Sequence, residues 1–376
     1  MKAMCRPHFS ASGCSAVLAA LMLAALVPAL AFGAAAVTSD PLQRPAEQTA
    51  LAASSVLMGV GRAGDRLVAV GERGVILRSD DSGRTWRQSP CPVSVTLTAV
   101  NFATPTAGWA VGHGGVVLGT VDGGATWRKL LDGVEIARIE LAAATAQAQA
   151  AGASDAARRR LRDATQAAAD GPDKPLLDVK FWSASDGLVV GAYGTILRTH
   201  DGGRTWVSLR DVVPNPKGRH FYAIQVNGAE ILLAGEQGTL LRSTDQGASF
   251  AELKTPYNGT FFGVVRTAQN EILVYGLRGN VLRSTDDGLS WSKVDVGQSI
   301  TVTSGSTLPG GGVALVDESG RVLLRSADTD QFRAVKLSRS FSFTGATVGR
   351  DGSLVLSGVR GTARVEPTAL FSTVRP

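Results

Sequence analysis

Apolar residues along this chain fall in short runs, not long stripes. LVAVG, GWAVG, GLVVG, ILLAG, ILVYG and LVLSG each close on a glycine, and a second apolar stretch begins a few residues later. Runs of this length between turn residues predict strands joined by tight turns. Composition agrees: 44 glycines and 15 prolines occur in 376 residues that are 44% apolar and only 19% charged, enough to bury a large core.

The runs repeat. GERGVILRSDDSGRTW (71–86) aligns with GHGGVVLGTVDGGATW (112–127), GAYGTILRTHDGGRTW (191–206), GEQGTLLRSTDQGASF (235–250) and GLRGNVLRSTDDGLSW (276–291). Two worn copies follow, DESGRVLLRSADTDQF (317–332) and GVRGTARVEPTALFST (358–373). The second glycine of each copy falls at 74, 115, 194, 238, 279, 320 and 361, so the steps are 41, 79, 44, 41, 41 and 41 residues. Upstream of the copies, stretches such as LTAVNFATPTAGWAVG and FFGVVRTAQNEILVYG read as two further strands and a turn. Four strands per repeat are the signature of a propeller blade, because one sheet cannot cover both of its apolar faces alone. The expected fold is all-β: a seven-bladed β-propeller of four-stranded blades, with an α-helical hairpin inserted between blades two and three. A linear solenoid is the competitor, and neither end resembles the polar cap it needs.

Five copies satisfy S/T-x-D-x-G-x-S/T-W/F in register, pairing Asp81 with Trp86, Asp122 with Trp127, Asp201 with Trp206, Asp245 with Phe250 and Asp286 with Trp291. The carboxylate suits backbone N–H groups of its own turn, the glycine suits a positive φ, and the aromatic suits a wedge between sheets. The pattern resembles the Asp-box, or BNR repeat, of sialidases and many other β-propellers, and the resemblance implies a structural turn remote from any active site. Catalysis would not need five copies around a ring.

Blade order assigns faces. The turn between second and third strands shares one face with the link to the next blade, and the aspartate turns take the other. The variable tips Glu72-Arg73, His113-Gly114, Ala192-Tyr193, Glu236-Gln237, Leu277-Arg278, Glu318-Ser319 and Val359-Arg360 therefore lie together. Varied chemistry on a repetitive framework is what a recognition surface looks like, with simple tolerance of solvated turns as the alternative. Candidate partner-binding residues there are Arg73, His113, Tyr193, Glu236, Arg278 and Arg360.

Residues 132–174 break the strand pattern and read as two helices, one from about Val134 to Ala150, the other from a cap at Ser154 or Asp155 to Gly171-Pro172. Linking two blades, they rise from the tip face, and Arg158, Arg159, Arg160 and Arg162 make them basic. A solvated helix face is the alternative. The long link RDVVPNPKGRHF (210–221) adds Lys217, Arg219 and His220, so an acidic partner suits this face.

At the N-terminus, Lys2 and Arg6 precede an apolar run from Ala16 to Leu30, short for a spanning helix, and small residues follow. This is expected to be an export signal over 1–36, cleaved to give a periplasmic or secreted protein, with a retained anchor as the alternative. An N-terminal segment (37–54) then precedes the propeller (55–376), which carries the insertion at 132–174. Cys5 and Cys14 leave with the signal, so Cys91 has no intramolecular disulfide partner. Net charge falls from +6 to about +4 without Lys2 and Arg6, too mild to argue for nucleic acid. The seventh sheet closes either with Leu370–Val374, after a turn at Pro367, or with a strand from about Thr38–Leu51.

No HExxH, Gly-x-Ser-x-Gly or phosphate loop occurs, and His113, His200 and His220 are isolated, so no catalytic residue, cofactor or metal is expected. Gly59-x-Gly61-x-x-Gly64 matches a dinucleotide fingerprint but runs into a strand where a helix is required. Cys91, between Pro90 and Pro92, reads as a half-buried spectator before a reactive thiol. A sialidase site needs an arginine cluster and a tyrosine–glutamate pair, generally announced by Arg-Ile-Pro; that motif is absent, and Tyr193, Tyr222, Tyr257 and Tyr275 have no glutamate partner evident in the sequence.

The recurring GxxGxILRSxDGGxTW at 41-residue spacing, behind an export signal, resembles the photosystem II stability/assembly factor family in its exported, non-photosynthetic bacterial branch, over about residues 55–375. The resemblance implies a seven-bladed, non-enzymatic, monomeric scaffold that docks its partner partly through arginines. Bacterial relatives are often encoded beside RND-type exporters, which implies an assembly or accessory role for an envelope complex, meeting the membrane only through that partner. The helical insertion and the two worn repeats depart from the family pattern and count against a photosystem role. The alternative is a glycan-binding or sialidase-like propeller with its pocket at the channel mouth, which convergent carboxylates and arginines there would mark.

Overall fold

The computed structural model describes residues 40–337 and 339–371, so the expected signal at 1–36 lies outside the described residues. Within that range seven antiparallel sheets follow one another along the chain, six with four strands and the last with three. The innermost strands are Leu57–Ala63, Leu97–Phe102, Leu176–Phe181, Phe221–Asn227, Phe261–Arg266, Val302–Thr307 and Phe343–Val348. Each begins at a fully buried Leu, Val or Phe. Second strands such as Gly108–Gly112, Gly187–Gly191 and Ile272–Gly276 are buried at every position, because the neighbouring blades cover both of their faces.

The paired glycines of each repeat have two different causes. A Cβ on Gly71 would come within 2.1 Å of the Val56 carbonyl oxygen, so the first glycine admits the chain entering its own blade. Gly74 has φ +73°, and a Cβ there would meet the Val93 carbonyl oxygen at 2.1 Å. Arg73 before it also has positive φ (53°), and the Val75 amide donates to the Glu72 carbonyl (3.0 Å). Two successive positive φ values closed by that bond make a type I′ hairpin turn, whose twist matches the strands it joins.

The aspartate turns carry a fixed hydrogen-bond set. Asp81 Oδ1 accepts from the amides of Arg84 (3.0 Å) and Thr85 (2.8 Å) and from the Ser79 hydroxyl (2.8 Å), while Oδ2 accepts from the Thr85 hydroxyl (2.6 Å). The Trp86 indole N–H returns to the Gly83 carbonyl (3.2 Å). Trp127 and Trp206 repeat this bond and are buried, Trp206 edge-on to Phe181, which itself stacks on Trp109 with centroids 3.5 Å apart. Burial of one such aromatic contributes about 2 to 3 kcal/mol.

Blades are also joined by polar latches. Side chains on innermost strands reach the next blade: Thr98 Oγ1 donates to the Leu176 carbonyl and Thr303 Oγ1 to the Phe343 carbonyl, each at 2.7 Å. Asp178 Oδ2 accepts from the Ile224 amide (2.7 Å). Arginines on third strands donate to the carbonyl just after the aspartate of the next turn, Arg198 to Gln246 (2.5 Å) and Arg242 to Asp287 (3.2 Å).

The same devices close the ring. Thr344 Oγ1 donates to the Leu57 carbonyl (2.7 Å), Arg364 Nε to the Ser82 carbonyl (3.0 Å), and Arg84 pairs with Asp351 (2.9 Å). Most of the expected strand at Leu370–Val374 lies outside the described residues, and residues 40–51 of the other expected strand form none. Pro367–Phe371 is a short helix, since a proline suits the first helical turn, and the segment from Asp40 runs over the first blade junction, where the Ala46 amide donates to the Cys91 carbonyl (3.0 Å). Among the described residues the seventh sheet has three strands.

The insertion forms helix α1 (Gly133–Gln149) and helix α2 (Asp155–Asp170). Asp132 caps α1 by accepting from the Val134 and Glu135 amides, and Ser154, not Asp155, caps α2 by accepting from the Ala157 amide. Ala144, Ala157 and Ala164 are buried, small residues that suit close helix packing.

Candidate functional site

The hairpin rests on the tip face. Gly115, at the tip of blade two, packs on Gly133 at the start of α1, and farther along α1 Glu140 accepts from the Ser208 hydroxyl (2.6 Å) of the outermost strand of blade three. Arg73, His113, Tyr193, Arg278 and Arg360 are exposed at their tips. Arg73, Tyr193 and Arg278 have φ of 53°, 55° and 56°, so three of these side chains stand on left-handed backbone that glycine would adopt without cost.

Other sequence candidates are committed within the fold. Arg160 binds Glu140 through two nitrogens (2.8 and 3.1 Å) with 12% of either side chain exposed, and also reaches Gln147 and Ser208. Its charge is consumed in holding the hairpin to blade three. Arg158 pairs with Asp155 (2.8 Å), whereas Arg159 and Arg162 are exposed. Glu236 accepts from the His220 amide (2.8 Å), and Arg219 donates to the Thr239 hydroxyl (3.0 Å). Lys217 is exposed.

Sequence reading missed an aromatic row. Tyr193 meets His220 edge-on (4.9 Å between centroids), His220 meets Tyr222 (6.3 Å), and Tyr222 meets Phe262 (5.1 Å), leading from the tip of blade three to the channel. The signal available was positional: Tyr222 and Phe262 each follow the buried phenylalanine that opens an innermost strand.

The channel itself, about 320 Å³, is lined by the innermost strands, and among the described residues Asp178 is its one lining carboxylate and Lys180 its one lining cation, with no arginine. Burial pushes the Asp178 carboxyl up to about 6, against the lowering effect of its bonds from the Ile224 and Val179 amides. Burial likewise pushes the Tyr275 hydroxyl far above its ordinary value, and the Asp178 charge adds to this. Cys91 is 3% exposed and burial raises its thiol to about 11, which disfavours the thiolate at neutral pH. Among the described residues no cluster of three His, Cys, Asp or Glu side chains could hold a metal ion, and no helix is long and apolar enough to cross a membrane.

A family model described as photosynthesis system II assembly factor YCF48 matches residues 166–258. The photosystem II assembly lipoprotein Ycf48 of Synechococcus sp. (strain CC9902) is 35% identical over 77 residues, which is 20% of this chain and 23% of that relative's length. Among solved structures, YCF48 bound to a D1 peptide matches with TM-score 0.60 at 13% identity, over 85% of this chain and 95% of its own. Streptogramin B lyase matches with TM-score 0.62, also at 13% identity, over 87% and 99%. At such identities the likeness is one of fold, and the fold serves an assembly factor and a lyase alike.

Proposed function

We propose that this chain is a photosystem II assembly factor-like β-propeller, an exported, non-catalytic scaffold that binds a protein partner on its tip face in the assembly or upkeep of an envelope complex. The observation that carries this reading is the contrast between the channel and the tip face. The channel offers one carboxylate, already engaged by two backbone amides, where glycan cleavage needs two carboxyl groups flanking a bond. The tip face offers exposed Arg73, Arg278, Arg360 and Lys217, and the helical hairpin rises from the same face. Export rests on the apolar run at 16–30, and an RND-type exporter as partner rests on family resemblance alone.

The test is a crosslinking pull-down from the periplasm with the intact protein and with a form lacking residues 134–170. One defined envelope protein captured by the intact form and lost on deletion is the expected result. No capture by either form, together with binding on a glycan array, would transfer the function to the channel mouth.

A further inference from the structure

The hairpin does not lie flat on the propeller. Between α1, α2, the tip of blade three and the link before blade four it leaves a cleft of about 390 Å³, the size of a ligand site. We propose that this cleft receives an extended segment of the protein partner, seating an apolar side chain on its floor and directing flanking carboxylates to its propeller-side wall; the proposal rests on the scaffold reading above.

The floor is apolar, formed by Ile136, Ala137, Ala164 and Ala167. The propeller-side wall is cationic, with Lys174, Arg210 and Lys217. Lys174 stands 5.8 Å over the Tyr193 ring and, among the described residues, pairs only with the exposed Asp173 (3.7 Å). Lys217 has no ion pair among the described residues. Arg210 shares Glu140 (3.4 Å) with Arg160, so one carboxylate there faces two guanidinium groups and positive charge is left over. The α2 wall carries Asp163 and Asp170, the latter accepting from the Gln166 amide (2.7 Å), which sets the orientation: carboxylates of the segment face the propeller, away from α2.

Exposed apolar side chains favour a chain segment over a small molecule. Val134 is 62% exposed, Tyr193 56% and Val212 37%, all on elements that line the cleft. A small ligand would fill the cavity and leave them in water, whereas a polypeptide laid across it covers them. Tyr193 in particular is an aromatic at the tip of blade three, with Lys174 over its ring, and its turn conformation (φ 55°) is the one the equivalent tips Arg73, Gln237 and Arg278 share.

Three labelled peptides of the same length test this against the full chain: acetyl-Glu-Phe-Asp-Leu-Glu-amide, its version with lysine for every acid, and its version with glycine for Phe and Leu. Fluorescence anisotropy is expected to show saturable binding of the first and at least about tenfold weaker binding of the others. The double variant Lys174→Glu, Lys217→Glu, both at the rim, should lose the acidic peptide and gain the lysine peptide, while Lys174→Arg, Lys217→Arg keeps the original order. A reversal of preference cannot come from misfolding. Equal binding of all three peptides, no change in the double variant, or saturable binding of decanoate with none of the peptides overturns the cleft assignment. If the peptides fail while the pull-down still captures its protein, the scaffold reading survives and this site does not.

Discussion

At the scale of single residues, the aspartates of this protein divide by the sign of their coupling to pH. Burial pushes Asp81 up, but the hydroxyl and amide of Thr85, with Ser79 and the Arg84 amide, outweigh it and hold the carboxyl at about 2. Hydrogen bonds of the same kind bring Asp122, Asp201 and Asp286 to about 2 as well. A carboxyl lowered in the folded state adds stability above its ordinary value of 3.8, and that stability is lost as pH falls through about 2. Thermal melts between pH 5 and pH 2 should therefore fall steeply for the native chain and less steeply for Asp81→Asn, which begins from a lower melting temperature. Asp178 has the opposite sign. Raised to about 6, it holds its proton more firmly folded than unfolded, so its contribution is greatest below 3.8 and declines as pH rises through about 6. Asp178→Asn should remove that decline, which melts at pH 4 and pH 7 would measure. Arg278→Gly relieves a positive φ and should stabilise by up to about 1 kcal/mol in urea unfolding.

At the scale of elements, the hairpin is joined to the propeller chiefly through one helix, α1, which packs on blades two and three. The hairpin is held by its caps, by Ile136 and Ile139 packed against the core between blades two and three, and by Glu140, whose two guanidinium partners would be left uncompensated in Glu140→Gln. Because the pair is largely shielded, the loss should be about 2 to 4 kcal/mol. It should appear as faster hydrogen exchange in α1 and α2 with protection of the blades unchanged, and Ser154→Ala should do the same on a smaller scale, about 1 kcal/mol. The helices and their faces were legible in the sequence, because an Ala- and Arg-rich stretch with cap residues interrupts a strand repeat. The fate of Arg160 was not. Arg158, Arg159, Arg160 and Arg162 are alike as letters, and only the packing of α1 on blade three turns Arg160 inward to Glu140.

At the scale of the whole molecule, closure is the junction where contacts join residues nearly three hundred positions apart, such as Arg364 with Ser82. Among the described residues the seventh blade has three strands, and side chains join it to the first blade. Thr344→Val should cost about 1 kcal/mol, as should Thr98→Val at an internal junction, each removing one latch. The two should differ in kinetics: the terminal junction has no chain tether across it, so unfolding should speed up more for Thr344→Val in stopped-flow measurements. By itself the sequence determined the number of blades, the order of strands, the aspartate turns and the place of the insertion. Those features follow from local rules: apolar period, glycine geometry and turn chemistry recur at fixed spacing whatever surrounds them. Tertiary structure alone decided how the ring closes, which charges are consumed, and that a cleft with a cationic wall opens beneath the hairpin. These depend on which side chains meet across blades, and a repeat that spells each blade almost alike carries little record of the particular neighbour that each one meets.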